Sequence, residues 1–308
     1  MLIDAGAQDD ASEQGLVDYL NAFFARRTDL NRTLASTLIT HNHLDHTRVL
    51  RRLIETEKFT VQHYVDNGFT TGSGRFGPNW LKGEVQAGRI KTRVRTVPDS
   101  DVEAVTDKSG LADQDIDPLP CSDQDPQIRV LQGSFDENPG WTEGDFDNQN
   151  NHSLVTRVDF GSASFLFMGD LQEAGIELLV DYYSGTARPI LDADVLQVGH
   201  HGSHNATTDD LLSAVTPRVA VIPMGSSVGQ DSEGFNAFVF GHPRAAVVDL
   251  LASRITRQRS PAKTVRVATG QRRFRNTILR RAIYGTGWDG TIRVVARAND
   301  SITVYREH

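Results

Sequence analysis

Three histidines and one aspartate lie within six residues of this 308-residue chain, in the stretch Thr40-His41-Asn42-His43-Leu44-Asp45-His46-Thr47. Neutral imidazole and carboxylate are the side chains that bind zinc and, to a lesser extent, manganese or iron. The stretch follows a short apolar run, so we predict that a strand ends near Thr40 and that a helix begins near Thr47. In the turn between them His41 and His43 can point to one metal ion, while Asp45 and His46 face a second. The alternative is a surface cluster without metal.

Residues of the same chemical types recur at the ends of later apolar runs. Asn150-Asn151-His152-Ser153 precedes an alternating run, and Phe165-Leu166-Phe167-Met168-Gly169-Asp170 ends in an aspartate. Asp194-Val195-Leu196-Gln197-Val198-Gly199-His200-His201-Gly202-Ser203 ends in a histidine pair, and Phe240-Gly241-His242-Pro243 follows it.

Together these segments resemble the metallo-β-lactamase superfamily, whose first metal motif is H-x-H-x-D-H after a strand. The patterns N-x-x-S-L-V, L-F-x-G-D, V-x-H-H-G-S and G-H-P are similar to one branch in particular, the hydrolase domains of ComEC-type DNA-uptake proteins and their soluble relatives. The resemblance runs from Leu2 to about Arg306. It implies an α/β (α+β) fold, a four-layer αββα sandwich, in one domain that spans residues 1–308 with polar loop insertions near 66–127 and 134–151.

The resemblance also implies a centre of two divalent metal ions, with zinc expected and manganese as the alternative. One ion would be held by His41, His43 and a group from residues 150–153, and the other by Asp45, His46 and one of the paired histidines. Asp170 would bridge both ions. The expected metal ligands are therefore His41, His43, Asp45, His46, His152, Asp170, His201 and His200.

Two of these ligand assignments involve a choice between neighbours. His152 is favoured over Asn151 or a water as the third ligand of the first ion, because an imidazole completes a better nitrogen site. Adjacent residues at a strand end point in opposite directions, so only one of the histidine pair is expected to bind directly. We favour His201, with His200 lining the pocket.

Three side chains are candidates for direct participation in catalysis: Asp45, His204 and His242. Either histidine could donate a hydrogen bond to a phosphoryl oxygen or protonate a leaving alkoxide. The alternative for both is an ordinary surface histidine.

Composition excludes several classes of protein. The single cysteine, Cys121, rules out an internal disulfide and a thiolate zinc cluster. No run of 18 apolar residues is present, so no membrane span is expected, and no signal peptide is visible. The chain as given is expected to be cytoplasmic. However, Met1 immediately precedes the Leu2-Ile3-Asp4-Ala5-Gly6 turn, so the fold is expected to lack its first strand. The alternative to a cytoplasmic location is an export signal lost together with that strand.

Charge is unevenly distributed although the formal net charge is −8. Residues 254–281 contain ten Lys or Arg and no acidic residue. Such a block can contact the phosphate backbone of DNA or RNA; the alternative is a solvated surface that pairs with acids elsewhere. Residues 99–125 contain nine acids and one Lys, and we predict a mobile loop over residues 98–121.

Hydrophobic periodicity predicts the main elements. Helices are expected over residues 12–27, 47–57, 79–87, 171–183, 208–215 and 245–254. Strands are expected over residues 36–40, 61–65, 128–131, 154–159, 164–168, 195–198, 219–223, 265–268, 292–296 and 302–305.

Three functions compete at this stage. The favoured one is hydrolysis of phosphodiesters, as a nuclease or phosphodiesterase, by a dinuclear centre and a metal-bound hydroxide, with DNA or RNA held by Arg254–Arg281. The second is hydrolysis of an acyl substrate by the same centre, as in a lactonase, a thioesterase or a β-lactamase-like enzyme. The third is a non-catalytic accessory protein that retains the fold. The sequence points to no membrane and to no particular protein partner.

Overall fold

The computed structural model describes residues 1–118, 120–225, 236–297 and 301–307. The helices are α1 Asp10–Arg26, α2 Leu44–Thr47, α3 Leu50–Glu55, α4 Phe76–Gln86, α5 Asp99–Glu103, α6 Glu143–Phe146, α7 Glu173–Tyr182, α8 Asp209–Val215, α9 Ala237–Phe240, α10 Ala245–Arg254 and α11 Thr286–Asp289. The strands are β1 Leu2–Ile3, β2 Thr33–Ile39, β3 Thr60–Asp66, β4 Arg93–Thr96, β5 Gln127–Gln132, β6 Val155–Phe160, β7 Ala163–Phe167, β8 Val195–Gln197, β9 Val219–Ile222, β10 Gln258–Gly270, β11 Arg273–Arg281, β12 Ile283–Gly285, β13 Thr291–Ala296 and β14 Ile302–Glu307. Short 3-10 helices span Thr28–Leu30, Gln149–His152 and Gly185–Ile190.

Two sheets organise the molecule. The first has the order β1-β2-β3-β4 and is parallel throughout. The second has the order β12-β9-β8-β7-β6-β5, with antiparallel pairing from β5 to β7 and parallel pairing from β7 to β12. Strands β10 and β11 form one antiparallel hairpin, and β13 and β14 form another.

The packing of these elements gives four layers. Between the sheets, Leu38 of β2 and Val65 of β3 pack with Val130 of β5 and with Leu154. On the outer face of the first sheet lie α1, α3 and α4, and on the outer face of the second lie α7, α8 and α10. An amphipathic helix buries one stripe and a sheet buries both faces in such an arrangement. The predicted αββα sandwich is confirmed.

Helix α1 illustrates how the sequence specifies these elements. Asp9 caps it, since the Asp9 carboxylate accepts from the Ser12 backbone N–H while the Ser12 hydroxyl accepts from the Asp9 N–H. Val17, Leu20 and Phe24 recur at helical spacing and are buried against the first sheet. The predicted helix over residues 12–27 therefore corresponds to α1.

The structure corrects the prediction of a mobile loop over residues 98–121. This segment contains α5, and Leu111 pairs with Val130 beside β5. Ile116 is fully buried in the space between the sheets. Two of the acids that suggested disorder, Asp101 and Asp113, form ion pairs with Arg95. A few well-placed apolar residues thus order a segment whose composition is acidic.

Further differences concern helices and strands. The helix predicted over residues 47–57 is divided into α2 and α3, and β4, β11 and β12 were not predicted. Strand β4 has the sequence Arg-Val-Arg-Thr and lies at the edge of the first sheet, where it is mostly exposed. Edge strands need no continuous apolar run, so periodicity gives little signal for them.

Much of the basic block, residues 254–281, lies in the β10–β11 hairpin. The apolar face of this hairpin packs through Val265, Val267 and Leu279 on the hydrophobic cluster that the second sheet forms with α7, α8 and α10. Arg259 is buried and forms an ion pair with Asp289 at 2.7 Å. Arg254, Lys263 and Arg275 also pair with acids. Part of the block therefore stabilises the fold, which was the alternative reading of its charge.

Candidate metal centre

The centre is built at the edge where β2 and β7 end. His41 follows β2 and its side chain is fully inaccessible to solvent, while Asp170 lies three residues beyond β7 and is 2% exposed. Asp45, His46, Asp170 and His201 each place one ligand atom so that the four atoms lie within 4.8 Å of one another. The sequence separation of these residues shows that three different loops converge here.

Three imidazoles have their orientation and protonation set by the partner of Nδ1. Nδ1–H of His46 donates to the Asp4 carboxylate at 2.7 Å, and Nδ1–H of His201 donates to the Pro223 carbonyl at 2.8 Å. The Thr40 hydroxyl gives its proton to Asp4 and so accepts from Nδ1–H of His41 at 3.1 Å. Each neutral ring therefore carries its lone pair on Nε2, which is the arrangement of a metal-binding histidine with a fixed tautomer.

Those Nε2 atoms converge on Asp170. The distances to Asp170 Oδ2 are 3.2 Å from His46, 3.4 Å from His201 and 3.9 Å from His41. Nε2 of His41, Nε2 of His46 and Oδ1 of Asp170 are buried and have no hydrogen-bond partner. Buried polar atoms normally find a partner, so this set of unpartnered nitrogen and carboxylate atoms fits divalent transition metals and zinc in particular.

Without metal, the charges of the cluster compensate one another. Burial opposes protonation of His201, but Asp170 and Asp45 raise its pKa to about 10. Burial likewise opposes charge on His46, and Asp170 and Asp4 hold the pKa of His46 well above its usual value. Burial would raise the pKa of Asp170, yet His201 and His46 hold it well below the usual value. For His41, burial together with the His46 charge holds the pKa well below its usual value.

His152, the favoured third ligand of the first ion, is engaged by main-chain groups. Its Nε2–H donates to the Phe146 carbonyl at 2.7 Å, and its Nδ1 accepts from the Phe135 backbone N–H at 3.1 Å. Both ring nitrogens are therefore engaged by the main chain of neighbouring loops. Asn150, two residues earlier, is buried and lies beside His43, and its buried Oδ1 has no hydrogen-bond partner.

The adjacent histidines both face the centre, contrary to the expected alternation. His200 and His201 have φ angles of +46° and +54°, a left-handed conformation in which strand geometry does not apply. Such residues cost about 1–3 kcal/mol each and cluster at functional sites. Nδ1 of His200 accepts from the Gln172 amide at 3.2 Å, so neutral His200 carries its proton on Nε2, 3.9 Å from Asp170 Oδ2. Neutral His200 therefore presents a donor, whereas His201 presents a lone pair once its Nε2 proton is released.

The two remaining histidine candidates differ in position. His204 is exposed. His242 is 9% exposed, has an unpartnered buried Nδ1, and lies with its ring centroid 5.6 Å from that of His200. Burial, together with the charges of His200 and His201, lowers the pKa of His242 to about 3. His242 is thus a neutral group at the edge of the centre.

Sequence reasoning did not identify the role of Asp4. Its carboxylate accepts from the Thr40 N–H, the Thr40 hydroxyl and His46 Nδ1. The signal was present in the turn Leu2-Ile3-Asp4-Ala5-Gly6, because Gly6 lies against Asp45 so closely that a Cβ there would overlap the Asp45 carbonyl oxygen. A glycine two residues after an aspartate marked a close approach between this turn and the metal motif.

Residues 1–226 match the family model of the metallo-beta-lactamase superfamily, and the chain belongs to this superfamily. The predicted family is therefore confirmed, and the relatives below agree with the predicted likeness to the ComEC-type branch.

Several relatives match parts of the chain. It is 29% identical over 137 residues to ComE operon protein 3 of Bacillus subtilis, a match that covers 44% of this chain and 15% of that protein. It is 43% identical over 76 residues to Recombination protein 2 of Haemophilus influenzae, covering 25% and 9%. It is 41% identical over 78 residues to Competence protein ComA of Neisseria gonorrhoeae, covering 25% and 11%. The matches span a small part of each relative.

Solved structures show more distant likeness. CmlA, a diiron beta-hydroxylase from Streptomyces venezuelae, aligns with a TM-score of 0.37 at 16% identity over 63% of this chain and 36% of that chain. Human tRNase Z, short form, aligns with a TM-score of 0.31 at 13% identity over 71% of this chain and 79% of that chain. Similarity at this level carries no argument about activity.

Proposed function

We propose that the protein is a metal-dependent phosphodiesterase that acts on nucleic acid strands. The observation that carries the proposal is the convergence of three Nε2 lone pairs on Asp170, with two of the nitrogens and one carboxylate oxygen buried and unpartnered. Two divalent cations at such a centre would lower the pKa of a water and neutralise charge on a phosphoryl group. Zinc fits the donor set, and manganese is the second candidate.

We assign the ligands of each ion from these contacts together with the family resemblance. His41, His43 and Asn150 would hold one ion, with the Asn150 amide oxygen taking the place that the sequence favoured for His152. Asp45, His46 and His201 would hold the other, and Asp170 would contact both. The Asp4 carboxylate and the Pro223 carbonyl orient His46 and His201 from behind, which fixes the direction of each Nε2.

The remaining side chains of the centre, His200 and His242, can contact the substrate. His200 presents Nε2–H toward the centre because Gln172 occupies Nδ1, so it can donate to a phosphoryl oxygen or to the leaving oxygen. His242 is neutral at physiological pH and borders His200, so it can supply a second polar contact. His204 is exposed and has no assigned role in this proposal.

Positively charged side chains lie near the His242 loop, at one edge of the centre. Arg244 follows the His242 loop, and the Ala268 N–H of β10 donates to the Pro243 carbonyl. Gly241 has a φ of +73° and packs so closely on Gly270 that a Cβ would meet the Gly270 carbonyl oxygen. The turn of the β10–β11 hairpin, with Arg272 and Arg273, is therefore adjacent to the His242 loop. This supports a strand of phosphates that runs from the centre along the hairpin.

A substrate panel tests the proposal. Metal-reconstituted protein would be assayed on bis(p-nitrophenyl) phosphate, on single- and double-stranded DNA, on RNA and on a lactone. We expect hydrolysis of the chromogenic diester and of at least one nucleic acid, abolished by a chelator and restored by zinc or manganese. Lactone hydrolysis without diester hydrolysis would replace the proposal with acyl hydrolysis.

A further inference from the structure

A second feature borders the centre on the side away from the hairpin. Four aromatic side chains surround the His152 ring, with centroid distances from 4.7 to 6.1 Å; we call them the aromatic wall: Phe69, Phe135, Trp141 and Phe146. All four are partly exposed. None of them belongs to the three hydrophobic clusters that form the core of the described structure.

The wall is fixed to the ligand loops by hydrogen bonds. Asn42, between His41 and His43, donates its side-chain amide to the Phe69 carbonyl. The His152 ring bonds the main chain of both Phe135 and Phe146. His152 is in turn two residues from Asn150, which contacts His43. The loops that carry these aromatic rings are thus bonded to the loops that carry His41, His43 and Asn150.

The loop around the aromatic wall is negatively charged, whereas the hairpin is positively charged. The loop that carries Trp141 contains five acids and no Lys or Arg between residues 131 and 156: Asp136, Glu137, Glu143, Asp145 and Asp147. Glu143 and Asp147 are exposed. Within the described ranges, no lysine or arginine forms an ion pair with any of the five. This side of the centre therefore repels phosphates while it offers aromatic surface.

Aromatic rings beside negative charge favour a nucleoside that has no further phosphate beyond it. A nucleobase stacks on an aromatic ring whatever its identity, whereas a phosphate beside this loop would meet uncompensated negative charge. Only the last nucleoside of a strand has a base and no further phosphate beyond it. On the opposite side of the centre, Arg244, Arg272 and Arg273 suit the phosphates of the remaining strand.

We propose that the aromatic wall is a subsite for the terminal nucleoside of a nucleic acid strand, so that cleavage proceeds from a free end. This rests on the proposed phosphodiesterase function. A water oxygen forms a bond to the terminal phosphorus, one phosphorus–oxygen ester bond breaks, and the leaving alkoxide takes a proton. One product is a single nucleoside or nucleotide, and the other is the strand shortened by one residue.

The first experiment compares strand ends. Holoprotein would be given a linear single-stranded oligonucleotide with hydroxyl ends, the same strand circularised, and the strand with a 5′- or 3′-terminal phosphate. We expect one-residue products from the linear strand and at least about tenfold slower hydrolysis of the circle. A phosphate at the strand end that enters the subsite should also lower the rate of hydrolysis. A tenfold effect corresponds to the stacking of one base. Equal rates for line and circle would overturn the proposal.

The second experiment varies the wall. Trp141→Ala should weaken binding of an oligonucleotide about tenfold and leave binding of an abasic strand of equal length unchanged. Trp141→Phe should restore most of the loss, which shows that the ring rather than the fold is responsible. Tyr19→Ala, an exposed aromatic on α1, is the matched control. Equal losses for base-bearing and abasic strands would contradict a base subsite.

The third experiment varies the acids. The double variant Glu143→Lys and Asp147→Lys should raise hydrolysis of the circle and of the phosphate-capped end several-fold, whereas Asp18→Lys on α1 should not. An assay on bis(p-nitrophenyl) phosphate distinguishes failure of the subsite proposal from failure of the proposed phosphodiesterase function. If the chromogenic diester is hydrolysed and strand ends make no difference, the subsite is wrong; if no diester is hydrolysed, the phosphodiesterase function itself is wrong.

Discussion

At the residue scale, the function of each histidine depends on the group behind it. His200 and His201 are neighbours, yet in their neutral forms one presents a proton on Nε2 and the other a lone pair. Gln172 donates to Nδ1 of the first, and Pro223 accepts from Nδ1 of the second. Such partners are set by tertiary contacts over 20 or more residues, so residue type alone could not separate the two roles.

The Asp4 carboxylate provides a direct test of this dependence. Asp4→Ala leaves His46 without its Nδ1 acceptor, so the lone pair on Nε2 is no longer fixed. We expect metal affinity to fall about 10–100-fold while the fold remains. Competition with a chromophoric chelator would measure the affinity, and circular dichroism would report the fold. Unchanged affinity would show that Asp4 does not orient His46.

Metal binding should depend steeply on pH. In the metal-free protein the pKa of His201 is about 10 and that of His46 is also raised, so both rings hold protons at neutral pH. Binding must displace those protons, hence affinity rises with pH and falls as pH decreases. Calorimetry in buffers of different ionisation enthalpy should detect protons released on binding near pH 7. Binding without proton release would contradict the assignment of these two ligands.

The third ligand of the first ion is a separate residue-scale test. Asn150→Ala should weaken one of the two metal equivalents selectively, because it removes the amide oxygen beside His43. His152→Ala should instead loosen the loops of Phe135 and Phe146 and reduce thermal stability. If His152→Ala removes one metal and Asn150→Ala does not, the ligand is His152, as chemical preference alone suggested.

At the element scale, periodicity located the helices and strands that are buried on one side, such as α1 and α10. It missed β4 because an edge strand has no continuous apolar face, and it misread residues 98–121 because isolated apolar residues, above all Ile116, order an acidic segment. The basic block was visible in the sequence. Its division into fold-stabilising pairs such as Arg259–Asp289 and residues near the His242 loop required the hairpin register.

The hairpin makes an element-scale prediction. Reversing Arg272, Arg273 and Arg275 to Glu should weaken binding of long strands and flatten its salt dependence, since each phosphate contact contributes a log–log slope of about −0.7 to −0.9. Hydrolysis of bis(p-nitrophenyl) phosphate should stay nearly unchanged, because that substrate does not reach the hairpin. Equal salt slopes for the wild type and the triple variant would show that the hairpin does not touch substrate.

At the scale of the whole molecule, the sandwich explains why ligands spread from His41 to His201 meet. Strands β2 and β7 belong to different sheets, and the loops that follow them lie at the same edge of the sandwich. The fold class and most residues of the candidate centre could be predicted, because these residues occur in short contiguous motifs. The aromatic wall could not, since Phe69 lies far in sequence from Phe135, Trp141 and Phe146, and the four rings meet around His152 only in the folded chain.

The central claim is that this edge of the sandwich is a two-metal centre organised around Asp170, and metal analysis tests it most directly. Purified protein, reconstituted with zinc or manganese and freed of excess metal, would be examined by elemental analysis beside Asp170→Ala. We predict about two equivalents for the wild type and loss of both in the variant, because Asp170 contacts both positions. Retention of no metal by the wild type after reconstitution would contradict the account.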